Sequence, residues 1–276
     1  MTTTLVRPEP DASAPETPQR RTRAQRVGGR LSWLRRWVSP VAILVVWQLL
    51  STSGILTEDV LASPLQILAT AVELLADGTL QSATATSITR VLWGFLIGGS
   101  VGLVLATVAG LTRIGEDAVD PPMQMLRTLP HFGLIPLFIV WMGIGETPKI
   151  ALIAMGVAFP LYLNTFAGIR SVDRKFMEVA DTLNLTRRQR LRHVIIPGAL
   201  PQALVGLRLS LGVAWLSLIV AETVSADAGL GYLINDAREF LKTDVIVVGL
   251  AVYSLLGLLT DTLVRYIERK ALAWRA

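Results

Sequence analysis

The sequence predicts an all-α membrane protein that crosses the bilayer with six transmembrane helices. Three observations carry this expectation. Of the 276 residues, 52% are hydrophobic and only 17% are charged, where a water-soluble domain carries about a quarter charged residues. Six apolar segments lie at about 38–56, 88–111, 122–143, 150–169, 203–222 and 244–264, each near the roughly 20 residues a helix needs to span a bilayer. Lys and Arg fall almost wholly on alternate sides of these segments. With residue 1 in the cytoplasm, the inside segments hold 8, 1, 7 and 4 of them, twenty in all, and the outside segments hold Lys149, Arg238 and Lys242. That positive-inside asymmetry puts both termini and residues 171–201 in the cytoplasm.

Composition also removes several function classes. Cysteine is absent, so there is no disulfide and no thiolate ligand or nucleophile. His131 and His193 are the only histidines, too few for a structural metal cluster; no metal and no cofactor is expected. The basic excess of +5 does not point to nucleic acid, because the charges alternate with apolar spans. Among 22 Arg and 4 Lys, no lysine follows a glycine, so the Gly-Lys-[Ser/Thr] of a phosphate-binding loop is missing. There is no H-E-x-x-H and no G-x-S-x-G.

Residues 1–36 read as a disordered, basic cytoplasmic tail, rich in Thr, Pro and Arg. Arg35-Arg36 before an apolar run superficially resembles a twin-arginine signal. No A-x-A cleavage site follows, and a retained first span is the better reading. Residues 37–276 form the transmembrane domain. In the outside segment 57–87, Pro64 opens a helical pattern through Leu65, Leu68, Val72 and Leu75 that Asp77-Gly78 closes. The second outside segment holds Gly229-Leu230-Gly231 and an amphipathic stretch with Ala237, Phe240 and Leu241, an interfacial or re-entrant helix.

Span two carries Gly94, Gly98, Gly102, Ala106 and Gly110. Small residues every four positions make a flat stripe that lets another helix approach closely, within the bundle or across a dimer. Span five repeats the pattern with Gly206, Ser210 and Ala214. Spans three and four contain Pro130, Gly133, Pro136 and Pro160. Interrupted backbone is tolerated where it is buried in protein or lines a wet cavity, so both are expected to be interrupted and to face a pathway, or to be kinked. Charges at membrane depth each need a reason. Arg127 lies near the cytoplasmic end of span three with His131 one turn on, and Arg208 lies more than a turn into span five. Glu222 and Arg90 lie at the outer ends of spans five and two, placed to form an ion pair. With Asn164, the residues Arg127, His131, Arg208 and Glu222 are candidates to line a translocation pathway; the alternatives are snorkelling and ion pairing.

Residues 171–201 are a polar, basic island between apolar runs. Asp173 caps a helix to about Leu183 whose face holds Phe176, Val179, Ala180 and Leu183, while Glu178 and Asp181 lie on others. Asn184 suits the left-handed residue that ends it. Thr186-x-x-Gln189 is a capping box for a second, arginine-rich helix, stopped by Pro197 and Pro201. So much internal order in a loop suggests a docking surface for a soluble partner.

This island resembles a known family. Permease subunits of binding-protein-dependent ABC importers carry E-A-A-x3-G-x9-I-x-L-P in one cytoplasmic loop. Here it stands as Glu178-Val179-Ala180, Asn184, and Val194-Ile195-Ile196-Pro197, departing at Val179, Asn184 and Ile196. The likeness extends over about 40–275. The segments LRTLPHFGLIPLFIVWMGIGETPKI and LASPLQIL are similar to the branch importing aliphatic sulfonates, with nitrate, taurine and pyrimidine-precursor permeases as neighbours. The resemblance implies a type I importer permease fold in the bacterial plasma (inner) membrane, surrounded by lipid and working as a homodimer. It further implies two ABC ATPase subunits, a periplasmic or extracellular solute-binding protein, and no enzymatic activity in this chain. It makes 176–183 the coupling helix, with Glu178 and Ala180 matching directly, Asn184 by position and Pro197 closing the motif. The rival is a self-sufficient channel or ion-coupled carrier, which the absence of acidic residues at mid-membrane disfavours.

Overall fold

A computed structural model describes residues 24–275, with side chains described from Val38 to Trp274. Among the described residues there is no β-strand. The chain runs through α1 (Ala24–Thr52), α2 (Pro64–Ala76), α3 (Thr79–Leu111), α4 (Arg113–Leu126), a 3₁₀ turn (His131–Leu134), α5 (Ile135–Met142) and α6 (Glu146–Arg170). It continues through α7 (Arg174–Thr182), α8 (Arg187–Arg190), a π turn (Leu191–Ile195), α9 (Ile196–Ser225), α10 (Leu230–Glu239) and α11 (Thr243–Ala271). Among the described residues, four stretches are long and apolar enough to cross a membrane: α3, α6, the run Arg187–Ser225 and α11.

The other two expected spans differ. The described apolar part of α1 covers Val38–Thr52. Its helix begins at Ala24, so residues 24–36 of the expected tail are helical; Val27, Leu31, Leu34 and Val38 recur at helical spacing. The rest of the tail lies outside the described residues. The expected third span, 122–143, is not one helix. The helices on either side of residues 127–130 are bent by 85°. Pro130 removes a donor and restricts the residue before it, and the 3₁₀ turn restarts the chain on a new axis.

Pro160 does not interrupt the fourth span: α6 is continuous from Glu146 to Arg170. It lies between α3 and α9 and packs along both. Three residues before the proline, Ser210 of α9 donates to the Val157 carbonyl at 3.0 Å, a contact that ties α6 to α9 there. Nor do Pro197 and Pro201 stop the second island helix, because α8, the π turn and α9 run on as one 39-residue stretch. The wide turn absorbs the missing donor. Ile196 N–H reaches back five residues to Leu191 O, so the ladder is already shifted where Pro197, with no N–H to give, enters it.

The glycine stripe of α3 faces α6. A Cβ on Gly98 would fall onto the Ala154 carbonyl, one on Gly102 would lie 2.7 Å from Ala158 O, and one on Gly110 would lie 2.8 Å from Ile169. Ala106 is fully buried with Ala109, Met123 and Tyr162. On the other side of α6, a Cβ on Gly206 would lie 2.7 Å from Asn164 Cβ, and Ala214 is fully buried. Lipid offers no hydrophobic drive between spans, so this close backbone approach holds α3, α6 and α9 together. The outside segment folds as expected up to Gly78, which takes φ +83°. Phe240 and Leu241 do not share the buried face of Ala237 but are exposed beyond the end of α10.

Gly98→Ala should cost about 1–3 kcal/mol, the range for overpacking a filled core. Gly257→Ala in α11, where nothing lies within 4 Å, should be neutral or stabilising through helix propensity. Thermal unfolding of the two variants in detergent checks the contrast.

Candidate coupling surface and buried ionic cluster

The island folds as its sequence dictates. Asp173 caps α7 by accepting from Lys175 N at 2.9 Å. At the other end Asn184 takes φ +51°. Leu185 N donates to Ala180 O and Asn184 N to Asp181 O, each at 3.0 Å, a Schellman ending that satisfies the last carbonyls of the helix. Two residues on, the Thr186–Gln189 capping box is formed, with Thr186 N donating to Gln189 Oε1 at 2.8 Å. Arg190 clamps the two helices: it pairs with Asp181 at 2.6 Å and donates to Leu185 O at 3.0 Å.

On α7 only Ala180 is buried, at 1% exposure, while Phe176 is 63% exposed. Phe176, Val179 and Leu183 line a cavity of about 550 Å³ with Val194, Pro197 and Trp274, and Glu178 is exposed. An apolar, solvent-facing helix face with a carboxylate beside it and a rigid hydrogen-bonded frame beneath it can receive a partner protein.

At the opposite end of the bundle lies a second polar assembly. Arg90 of α3 is 2% exposed, Lys149 of α6 and Glu222 of α9 are each 1% exposed. Arg90 Nη1 donates to Glu222 Oε1 at 2.6 Å and to the Ala228 carbonyl at 2.6 Å. Glu222 is saturated: it also accepts from Ser87 Oγ (2.8 Å), Gly231 N (2.8 Å) and Tyr253 OH (2.8 Å). Ser87 Oγ in turn accepts from Leu230 N at 2.9 Å. Glu146 grips Arg90 through two bonds of 2.6 Å and accepts from Lys149 Nζ at 3.0 Å. Gly229 and Gly231 admit this packing; at Gly229, with φ +109°, a Cβ would lie 2.6 Å from Arg90 Nη1.

The expected pair of Arg90 and Glu222 is therefore present, but Glu222 is sealed inside one chain instead of facing open space. The participation of Ser87, Glu146, Lys149 and Tyr253 was not anticipated. The E-x-x-K spacing of Glu146 and Lys149, one helical turn, was the available signal.

The remaining pathway candidates are dispersed. Arg127 is exposed at the break after α4, and the break separates it from the half-buried His131 instead of stacking both on one helix. His131 Nε2 lies 3.5 Å from Ser217 Oγ. Asn164 donates to Pro160 O and accepts from Gln202 Nε2 at 3.0 Å. Arg208 pairs with Asp261 at 2.8 Å, and Arg265 pairs with the same carboxylate.

Residues 98–272 match the family described as binding-protein-dependent transport system inner membrane component. A Bacillus subtilis (strain 168) protein named for aliphatic sulfonates transport permease is 42% identical over 98% of both chains. Its Escherichia coli (strain K12) namesake is 49% identical over 88% of this chain and 93% of its own. In structure, a chain of an amino acid ABC transporter superposes with TM-score 0.61 at 19% identity, covering 72% of this chain and 97% of its own. The type I importer permease fold is thereby shared.

Asn184→Gly should leave the island intact, since glycine takes positive φ freely. Asn184→Val should destabilise α7 locally by about 1–2 kcal/mol, with little change in global unfolding. Amide hydrogen exchange over residues 174–190 reads the difference.

Proposed function

This chain belongs to the binding-protein-dependent transport system inner membrane components, and on that premise we propose that it forms the translocation pathway of an ATP-driven importer for small organic anions, aliphatic sulfonates first among them. The names of the two relatives similar over nearly the whole chain support that substrate class. The chain carries no phosphate-binding loop, so hydrolysis belongs to a separate pair of ATPase subunits. A solute-binding protein outside the bacterial plasma membrane delivers the anion, and two copies of this chain enclose the path. Both termini and the island face the cytoplasm, in keeping with the distribution of Lys and Arg.

The observation that carries this reading is the mechanical continuity of the island. A soluble partner seated on Phe176, Glu178, Val179 and Leu183 pushes on a helix that Ala180 anchors, and that the Asp181–Arg190 pair ties to α8. From α8 the chain runs without a break through α9 to Ser225. Movement of α7 therefore displaces α9, and with it α6 and α3, which pack on it. Asn184 sets the angle of α7, and Pro197 sits at the wide turn where the island helix passes into α9. ATP-driven closure below thus becomes rocking of the spans around a path between the two copies. Along that path we place Arg127 at the break, His131 and Asn164, with Arg208 held by Asp261 near the cytoplasmic mouth. This basic lining favours an anion.

The test is reconstitution in liposomes with the ATPase subunits and the binding protein. ATP-dependent uptake of a short alkanesulfonate is expected, in preference to nitrate, and none by the permease alone. Glu178→Arg should lower uptake at least tenfold with folded protein unchanged. Flux through the permease alone would establish a channel instead, and normal uptake by the Glu178 variant would remove α7 from the coupling role.

A further inference from the structure

We propose that Arg90 and Lys149 form an anion slot that Glu146 fills in the resting chain, and that the singly charged sulfonate of an entering solute takes the place of Glu146. The inference rests on the organic-anion reading above and adds where on this chain the anionic group is first held.

The geometry of Glu146 is that of a bound ligand. Its two oxygens meet Arg90 Nε and Nη2 at 2.6 Å each, and one also meets Lys149 Nζ at 3.0 Å. A planar guanidinium fork beside an ammonium is an arrangement suited to any oxyanion. A sulfonate presents three oxygens to the same three donors.

The charges require such an occupant. Arg90 and Lys149 are two buried cations, and among the described residues Glu222 is the only counter-charge sealed with them. Asp227 approaches Lys149 at 3.8 Å but is 94% exposed, so water screens most of its effect. One further negative charge must lie against the pair, since a buried cation left alone is costly. That need is met by one elementary charge, which matches a sulfonate and not a divalent anion.

Glu146 differs from the rest of the cluster in being able to leave. Its side chain is 52% exposed where those of Arg90, Lys149 and Glu222 are at most 2%. It follows Gly143 (φ +80°) and Gly145 (φ +151°), neither with a neighbour within 4 Å of a built Cβ, and Ile144 between them is 86% exposed. No side chain caps the start of α6. A glycine-flanked, uncapped carboxylate at the rim can swing out without disturbing the core. Glu222 stays and keeps α9, α10 and α11 fastened.

The chain has no cysteine, so a single fluorophore on Ile144→Cys reports movement of this rim. The labelled full-length chain in lipid nanodiscs is titrated with methanesulfonate at constant ionic strength, with chloride as the baseline and sulfate as the divalent arm. The slot predicts a saturable signal with methanesulfonate and a weaker one with sulfate. In Glu146→Gln the tethered competitor is gone, and half-saturation should fall roughly tenfold, since a tethered group competes at an effective concentration near millimolar. In Glu146→Gln/Lys149→Met the buried charges balance again and the response should vanish. A flat titration of the parent chain overturns the slot, and so does a response confined to Glu146→Gln, which would mean a vacated hole and not a site the native chain opens. Equal responses in all three chains would also overturn it. Loss of sulfonate uptake in liposomes would instead overturn the transport reading, so the two failures are distinguishable.

Discussion

The buried pair of Arg90 and Glu222 is the contact on which the rest of the architecture hangs. It joins α3 to α9 at one end of the bundle. Through Gly231 and Tyr253 the same carboxylate also holds α10 and α11, and Ser87 of α3, which donates to it, accepts from Leu230 N of α10. Two ions taken out of water cost several kcal/mol each, and only complete hydrogen bonding returns that cost. Every oxygen of Glu222 is used, so the cluster is stable in one arrangement and intolerant of others. That makes it a registration device: it sets the depth at which α3 and α9 meet.

With registration set, the small-residue stripes close the contact. Gly98 and Gly102 bring the backbone of α3 against Ala154 and Ala158, and Gly206 brings α9 against Asn164 and Pro160. A slip that turned the stripe away from α6 would drive side chains into those carbonyls. The three helices therefore pack as one unit, and the island at the far end is joined to it through α9 without a break. A bundle fastened at one end and continuous with the island at the other suits the proposed drive by an external ATPase.

The caps of the island were legible in the sequence because each is a local bargain between neighbours: Asp173 with Lys175, Thr186 with Gln189, Asn184 with its own φ. The glycine stripe was legible for the same reason, since its period alone states that something packs there. That its partner is α6 is a long-range fact that periodicity does not carry. Proline was the weakest guide. Pro160, Pro197 and Pro201 all lie within continuous helix, with a π turn just before Pro197, whereas the break near Pro130 is real. The cluster around Glu222 was half visible. Arg90 and Glu222 stand out as charges at the ends of spans, but Lys149 reads as a loop residue until the fold buries it.

The most direct measurement is a double-mutant cycle on Arg90→Met and Glu222→Gln, using unfolding free energies in mixed micelles. Each single variant strands a buried charge and should cost about 3–5 kcal/mol. The double variant leaves Glu146 and Lys149 balanced and should cost no more than the worse single one. If instead the two costs add to within about 0.5 kcal/mol, as they do for independent sites, the pair is not what fastens the bundle.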